Sequence, residues 1–193
     1  MFSKIIIILF LTCSFVIYFY IYSKINSRNY SNGRLRGNSF GNSFRGVFKF
    51  ILFFSYFIGL LSIFFREQFF CLYSLNYISF LGVLVFILGF LEFLIAIRTL
   101  GNHYSPCYES YLPNKFIQKG VYSFVRHPIY SGNLISLLGL LLISGSPLLL
   151  IPLILLFVYY YQAAKREEKD LASMFPDYLE YKKQTKMFLP FIF

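Results

Sequence analysis

The sequence predicts an all-α, polytopic membrane protein with about five transmembrane helices, a C-terminal helical hairpin and a cytoplasmic amphipathic tail. Three observations predict it. Hydrophobic residues make up 58% of the 193-residue chain and charged residues only 13%, about half the charged share of a soluble domain. Apolar runs of membrane length recur along the chain, and such a run needs about 20 residues to cross a bilayer. Residues 128–164 carry no charge at all. As one helix at about 1.5 Å per residue they would far exceed a hydrocarbon core of about 30 Å, so they must turn back.

The elements follow in order. Ile5–Ser23 is uncharged and forms the first span. Val47–Phe65 forms the second, with Lys49 near its end. The third runs from about Leu75 to Ile97 and contains Glu92. Within the uncharged stretch, Ser144-Gly145-Ser146-Pro147 has turn chemistry. It divides two short helices, about Ile129–Ile143 and Leu148–Ala164, into a tight hairpin. Pro152 falls in the first turn of the second, where proline is tolerated. The charged tail after Ala164 starts as a helix leaving the membrane. The aromatic residues of the first two spans serve lipid contact and packing.

Charge sets the expected topology. The net charge is +10. Lys24–Gly46 carries five basic residues and no acid, so it is placed in the cytoplasm by the excess of positive charge on that side. The short neutral loop around Arg66 and Glu67 then faces the other side, and Arg98–His127 and the C-terminal tail return to the cytoplasm. The first segment is expected to remain as a span rather than be cleaved as a signal peptide, since no small-residue cleavage site is clear. The basic residues are scattered over several loops, so no nucleic-acid partner is expected. Cys13, Cys71 and Cys107 match no metal site or redox pair.

Two constellations carry chemistry. In the first, Arg126-His127-Pro128-Ile129-Tyr130 stands where a polar segment enters the fourth span. Pro128 suits the first helical position. His127 then stands beside free backbone N–H groups able to receive an anion, and it shares a helix face with Tyr130. The same residues also suit an interfacial belt at headgroup depth. The second constellation is Lys165-Arg166-Glu167-Glu168-Lys169-Asp170, which also suits a solvated helix with local ion pairs. A hairpin returns residue 165 to the membrane face that residue 127 left, so the two constellations are expected to be neighbours. Together they are suited to a zwitterionic, cationic cofactor.

These residues resemble the isoprenylcysteine carboxyl methyltransferase family and its relatives among the phospholipid methyltransferases. The resemblance rests on Gly120-Val121-Tyr122, Arg126-His127-Pro128, Tyr130, Gly132, Glu167-Glu168, Leu171 and Phe175. It continues through Tyr178-Leu179-Glu180-Tyr181-Lys182-Lys183 and Leu189-Pro190-Phe191-Ile192, and covers roughly residues 80–193. It implies one methyltransferase-like domain over residues 1–193, with two N-terminal spans and a basic loop in 1–66 and a cofactor-binding core in 75–193. It implies S-adenosylmethionine as cofactor, bound by Ile117, Tyr122, His127, Pro128, Ile129, Tyr130 and Glu167. Arg166, Glu168 and Glu92 are the candidates for the substrate side. Glu92 is also readable as a structural contact, because it lies near the end of its span. Many relatives carry an Arg one helical turn before the glutamate pair, where this chain has Ala163.

The implied acceptor is a lipid or prenylated molecule entering from the bilayer, with the carboxylate of an isoprenylated cysteine first. A phospholipid amine or a small thiol is the alternative, and a non-catalytic membrane scaffold of the same fold is the reading from another class. The location implied is the inner membrane in a bacterium, or the endoplasmic reticulum membrane in a eukaryote.

Overall fold

The computed structural model describes residues 2–27, 40–65, 71–73, 76–101 and 116–190. Among these residues six α-helices follow one another: α1 Phe2–Ser27, α2 Phe40–Phe64, α3 Tyr77–Leu100, α4 Pro128–Ser144, α5 Leu150–Met174 and α6 Tyr178–Gln184. Extended pairing among the described residues is limited to a parallel bridge between Val125 and Lys186. The basic stretch 28–39, the loop at 66–70, and Cys107 with its surroundings lie outside the described residues.

Among the described residues, three segments are long and apolar enough to cross a membrane: Lys4–Ile21, Tyr77–Leu100 and Pro147–Met174. Lys49–Phe64 and Pro128–Ser144 are apolar but shorter. Thus three of the five expected spans have membrane length. The hairpin has the expected turn. Gly145 ends α4 in the left-handed region at φ 68° and donates its N–H to Leu141 O at 2.8 Å, a conformation glycine adopts without a Cβ penalty. The following helix is longer than the uncharged run. α5 passes Ala164 and reaches Met174, because Lys165–Asp170 has no helix breaker and the next proline is Pro176.

α3 and α4 pack closely through small residues. Glycines sit seven apart on each helix, at 82 and 89 and at 132 and 139. A Cβ on Gly89 would lie 2.5 Å from Ser136 N, and one on Gly132 would lie 2.7 Å from Gly89 O. Backbone therefore meets backbone, which is how membrane helices associate without a hydrophobic driving force. Aromatic rings from α1, α2 and α3 close the core. Tyr18 lies 4.4 Å from Phe93 and 5.6 Å from Tyr56, ring to ring, and its hydroxyl donates to Ser136 Oγ at 3.2 Å. Phe80, Leu81, Leu84, Leu88, Leu91 and Ile95 of α3 remain exposed, an outward stripe suited to lipid.

Candidate active site

The site forms where α4 begins. A 3₁₀ turn, Gly120–Ser123, presents the buried Tyr122. The chain then runs extended enough to pair with the C-terminal segment: Arg126 N donates to Lys186 O at 2.8 Å, and His127 N donates to Met187 O at 3.1 Å. Pro128 occupies the first turn of α4 and His127 its N-cap position. The His127 carbonyl accepts from Tyr130 N and Ser131 N, at 3.0 and 3.1 Å. Two further bonds tie the tail to this corner. Tyr181 OH donates to Tyr122 O at 2.6 Å, and the Arg126 guanidinium donates to Thr185 O.

Against this corner α5 sets its two glutamates. His127 Nδ1 lies 3.5 Å from Glu167 Oε2, and His127 Nε2 lies 3.4 Å from Glu168 Oε1. Tyr130 OH donates to Glu167 Oε2 at 3.4 Å. The His127 and Tyr130 rings stack at 5.5 Å and 5°, as the three-residue spacing on one helix face allows. Tyr130 also stacks on Tyr160 at 4.6 Å, and the Tyr160 hydroxyl accepts from Asn133 Nδ2 at 2.8 Å. The aromatic ladder fixes the ring positions from the α5 side.

The two glutamates differ in surroundings. Glu168 is buried and pairs with Arg126 Nε at 2.6 Å and Lys182 Nζ at 2.7 Å. His127, Lys182 and Arg126 thus surround this buried carboxylate with positive charge. Glu167 keeps 31% of its side chain exposed. Burial pushes the His127 imidazole toward its neutral form, yet Glu167 and Glu168 outweigh burial and raise its pKa above the ordinary histidine value. His127 is 6% exposed. Its Nε2 approach to Glu168 is within ion-pair range but not aligned as a hydrogen bond, so a buried polar atom is left unsatisfied.

The structure therefore brings Tyr122, His127, Pro128, Tyr130, Glu167 and Glu168 into one corner. Ile129 is buried in the adjoining core and Ile117 packs against it. Glu92 of α3 meets this corner through Ser131, whose Oγ lies 3.1 Å from Glu92 Oε1. Arg166 is exposed. Lys165 lies over the Tyr161 ring at 4.5 Å, and Ala163 is buried. Sequence reasoning missed the ties of Arg126 and Lys182 to Glu168, and the contact of Phe188 with His127 at 6.2 Å. Arg126 was signalled by its place beside His127. Lys182 was signalled only as part of the tail's family resemblance, in a segment that otherwise reads as solvated.

The sequence profile of the phospholipid methyltransferase family matches residues 77–177, which takes in α3, α4, α5 and both constellations. The chain belongs to the phospholipid methyltransferase family. That family includes isoprenylcysteine methyltransferases. Among its relatives is a protein-S-isoprenylcysteine O-methyltransferase of Saccharomyces cerevisiae, 34% identical over 116 residues, covering 58% of this chain and 48% of the relative. A cobalt-zinc-cadmium resistance protein, CzcN, of Cupriavidus metallidurans is 34% identical over 98 residues, covering 50% of this chain and 45% of that protein. The chain matches about half the length of each relative.

Proposed function

We propose that this member of the phospholipid methyltransferase family transfers a methyl group from S-adenosylmethionine to a membrane-borne acceptor, with the carboxylate of an isoprenylated cysteine as the leading candidate. The carrying observation is the meeting of His127 with Glu167 and Glu168 at the start of α4. The residues present fit the cofactor. Glu167 offers a partly exposed carboxylate to an ammonium or to ribose hydroxyls, and the unsatisfied Nε2 of His127 offers an N–H to a carboxylate. These are the two ends of an amino-acid group. Tyr122 and Tyr130 supply the aromatic walls. When bound, the cofactor supplies an electrophilic methyl group on a sulfonium.

The chain's own contribution is binding and alignment, which supply much of the barrier reduction in such displacements. Glu168, paired with Arg126 and Lys182, positions His127 rather than facing a ligand. His127, with its raised pKa, acts as a donor. A carboxylate acceptor is already nucleophilic at neutral pH and asks no base of the protein, whereas an amine or thiol must lose a proton. In the membrane arrangement proposed, all five apolar helices cross and the site lies at the cytoplasmic face. The prenylated acceptor reaches it from the bilayer. The yeast relative, named for isoprenylcysteine O-methylation, supports the carboxylate over the amine.

Purified protein incubated with methyl-labelled S-adenosylmethionine and a farnesylated cysteine analogue, a phosphatidylethanolamine or a small thiol, in parallel, tests this reading. Label in a base-labile methyl ester is expected. Turnover of the amine or the thiol alone would refute the carboxylate assignment. Cofactor binding with no labelled product from any acceptor or from native lipid extract would favour a scaffold.

A further inference from the structure

Glu92 has no evident structural need for its charge. It lies on α3 three residues beyond Gly89, and the Gly89–Gly132 contact brings Ser131 of α4 against it. Ser131 Oγ is 3.1 Å from Glu92 Oε1 and 3.1 Å from His127 O. One hydroxyl proton thus serves two acceptors, while an ionised carboxylate has about four lone-pair sites. The ion pairs among the described residues place three cationic side chains on Glu168 and none on Glu92. An acid within an apolar helix is costly and by default marks function. A neutral Gln would make the Ser131 contact at lower cost.

Glu92 also shares its space with the cofactor residues. Burial first, then the neighbouring Glu167, Tyr181 and Glu92, push the Tyr122 phenol well above its usual value. Tyr122 therefore stands within electrostatic reach of both Glu167 and Glu92. The Ser131 hydroxyl links Glu92 to the carbonyl of His127 on the other side.

We propose that Glu92 is a specificity residue for the acceptor, accepting a hydrogen bond from an N–H group at or beside the methyl-accepting atom. The inference rests on the methyltransferase reading above. Two acceptor chemistries carry such a group: the amide N–H next to the carboxylate of a prenylated cysteine, and the ammonium of an ethanolamine headgroup. A site built around an N–H discriminates strongly against an analogue that lacks it, because its own polar group is left unpaired.

The test compares kcat/KM for N-acetyl-S-farnesylcysteine and for S-farnesyl-3-mercaptopropionate, which keeps the carboxylate and lacks the nitrogen. Phosphatidylethanolamine vesicles form a third arm. Wild type is expected to favour the nitrogen-bearing analogue by about tenfold or more, as a charge-assisted hydrogen bond allows. Glu92→Ala brings the ratio close to one, and Glu92→Gln falls between. Both variants keep wild-type affinity for S-adenosylhomocysteine by calorimetry, which shows that they are folded. If the lipid is the acceptor, Glu92→Ala lowers its turnover about tenfold or more at unchanged cofactor affinity. An unchanged ratio, or unchanged lipid turnover, would overturn the inference and leave methyl transfer standing. No turnover of any acceptor by wild type would remove both.

Discussion

Arg126 Nε and Glu168 Oε1 lie 2.6 Å apart across 42 residues of sequence, joining the entrance of α4 to the charged end of α5. Arg126 also donates to the carbonyls of Lys182 and Thr185. One guanidinium thus holds both the glutamate beside His127 and the tail that carries Phe188. Both side chains of the pair are buried, 8% and 2% exposed. Removing Arg126 leaves Glu168 with His127 and Lys182 alone and loses a buried charge-assisted hydrogen bond, a cost of about 1.5–3 kcal/mol. Arg126→Met should lower the melting temperature in detergent and weaken cofactor binding, while Lys183→Met, at an exposed pair, should change neither.

Close packing of α3 on α4 sets the second expectation. A side chain on Gly132 would press on Gly89 O and Phe93 N, both 2.7 Å from its Cβ. Gly132→Ala should destabilise the protein by about 1–3 kcal/mol, and Gly132→Leu should prevent folding. A shift of the Gly89–Gly132 contact also moves Glu92 relative to Ser131, so the surviving Ala variant should lose acceptor turnover. Thermal melts and methylation rates on the same preparation check both effects.

The ion-paired His127 makes stability depend on pH. The folded pKa of His127 is raised. Its contribution is therefore complete below the unfolded value, about 6.5, and is lost as pH rises through the folded value. The melting temperature should decline on the alkaline side of about 6.5, and His127→Asn should flatten that limb alone. A wild-type profile that rises across this range would contradict the assigned ion pairs.

Side-specific labelling addresses the proposed five crossings. In a background lacking Cys13, Cys71 and Cys107, single cysteines at Gly33 and Arg66 should react from opposite faces of sealed vesicles, with position 33 on the cytoplasmic face, where basic loops are retained. Reaction of both from one side would remove the second crossing.

Much of this arrangement was legible in the sequence, for reasons that differ by element. The hairpin could be read because an uncharged run longer than a membrane must turn, and Gly145 and Pro147 stand where it does. The meeting of His127 with Glu167 followed from that hairpin, because an antiparallel helix pair returns the chain to the end it left. The tail was not legible. The Val125–Lys186 bridge and the Lys182–Glu168 pair join distant segments with no shared period, and local pattern holds no trace of such contacts. The start of α2 was concealed, since 40–46 reads as loop yet is helical, whereas the short α4 was read to within one residue at each end. Pro128–Ser144 is too short for a lone span, and it is accommodated by neighbours that bury most of its surface. Arg166, a substrate candidate because Ala163 stands where relatives carry an Arg, lies exposed on α5.

Every role proposed for His127 and Glu167 depends on cofactor binding at the corner they build, and calorimetry of the detergent-solubilised protein with S-adenosylhomocysteine measures that binding. Wild type should bind. His127→Ala and Glu167→Ala should each weaken binding by about tenfold or more, as loss of a buried polar contact requires. Glu180→Ala should not, because Glu180 is exposed and contacts Lys183 and Gln184 on the tail. Unchanged affinity in both site variants, or no binding by wild type, would rule out a cofactor pocket at this corner.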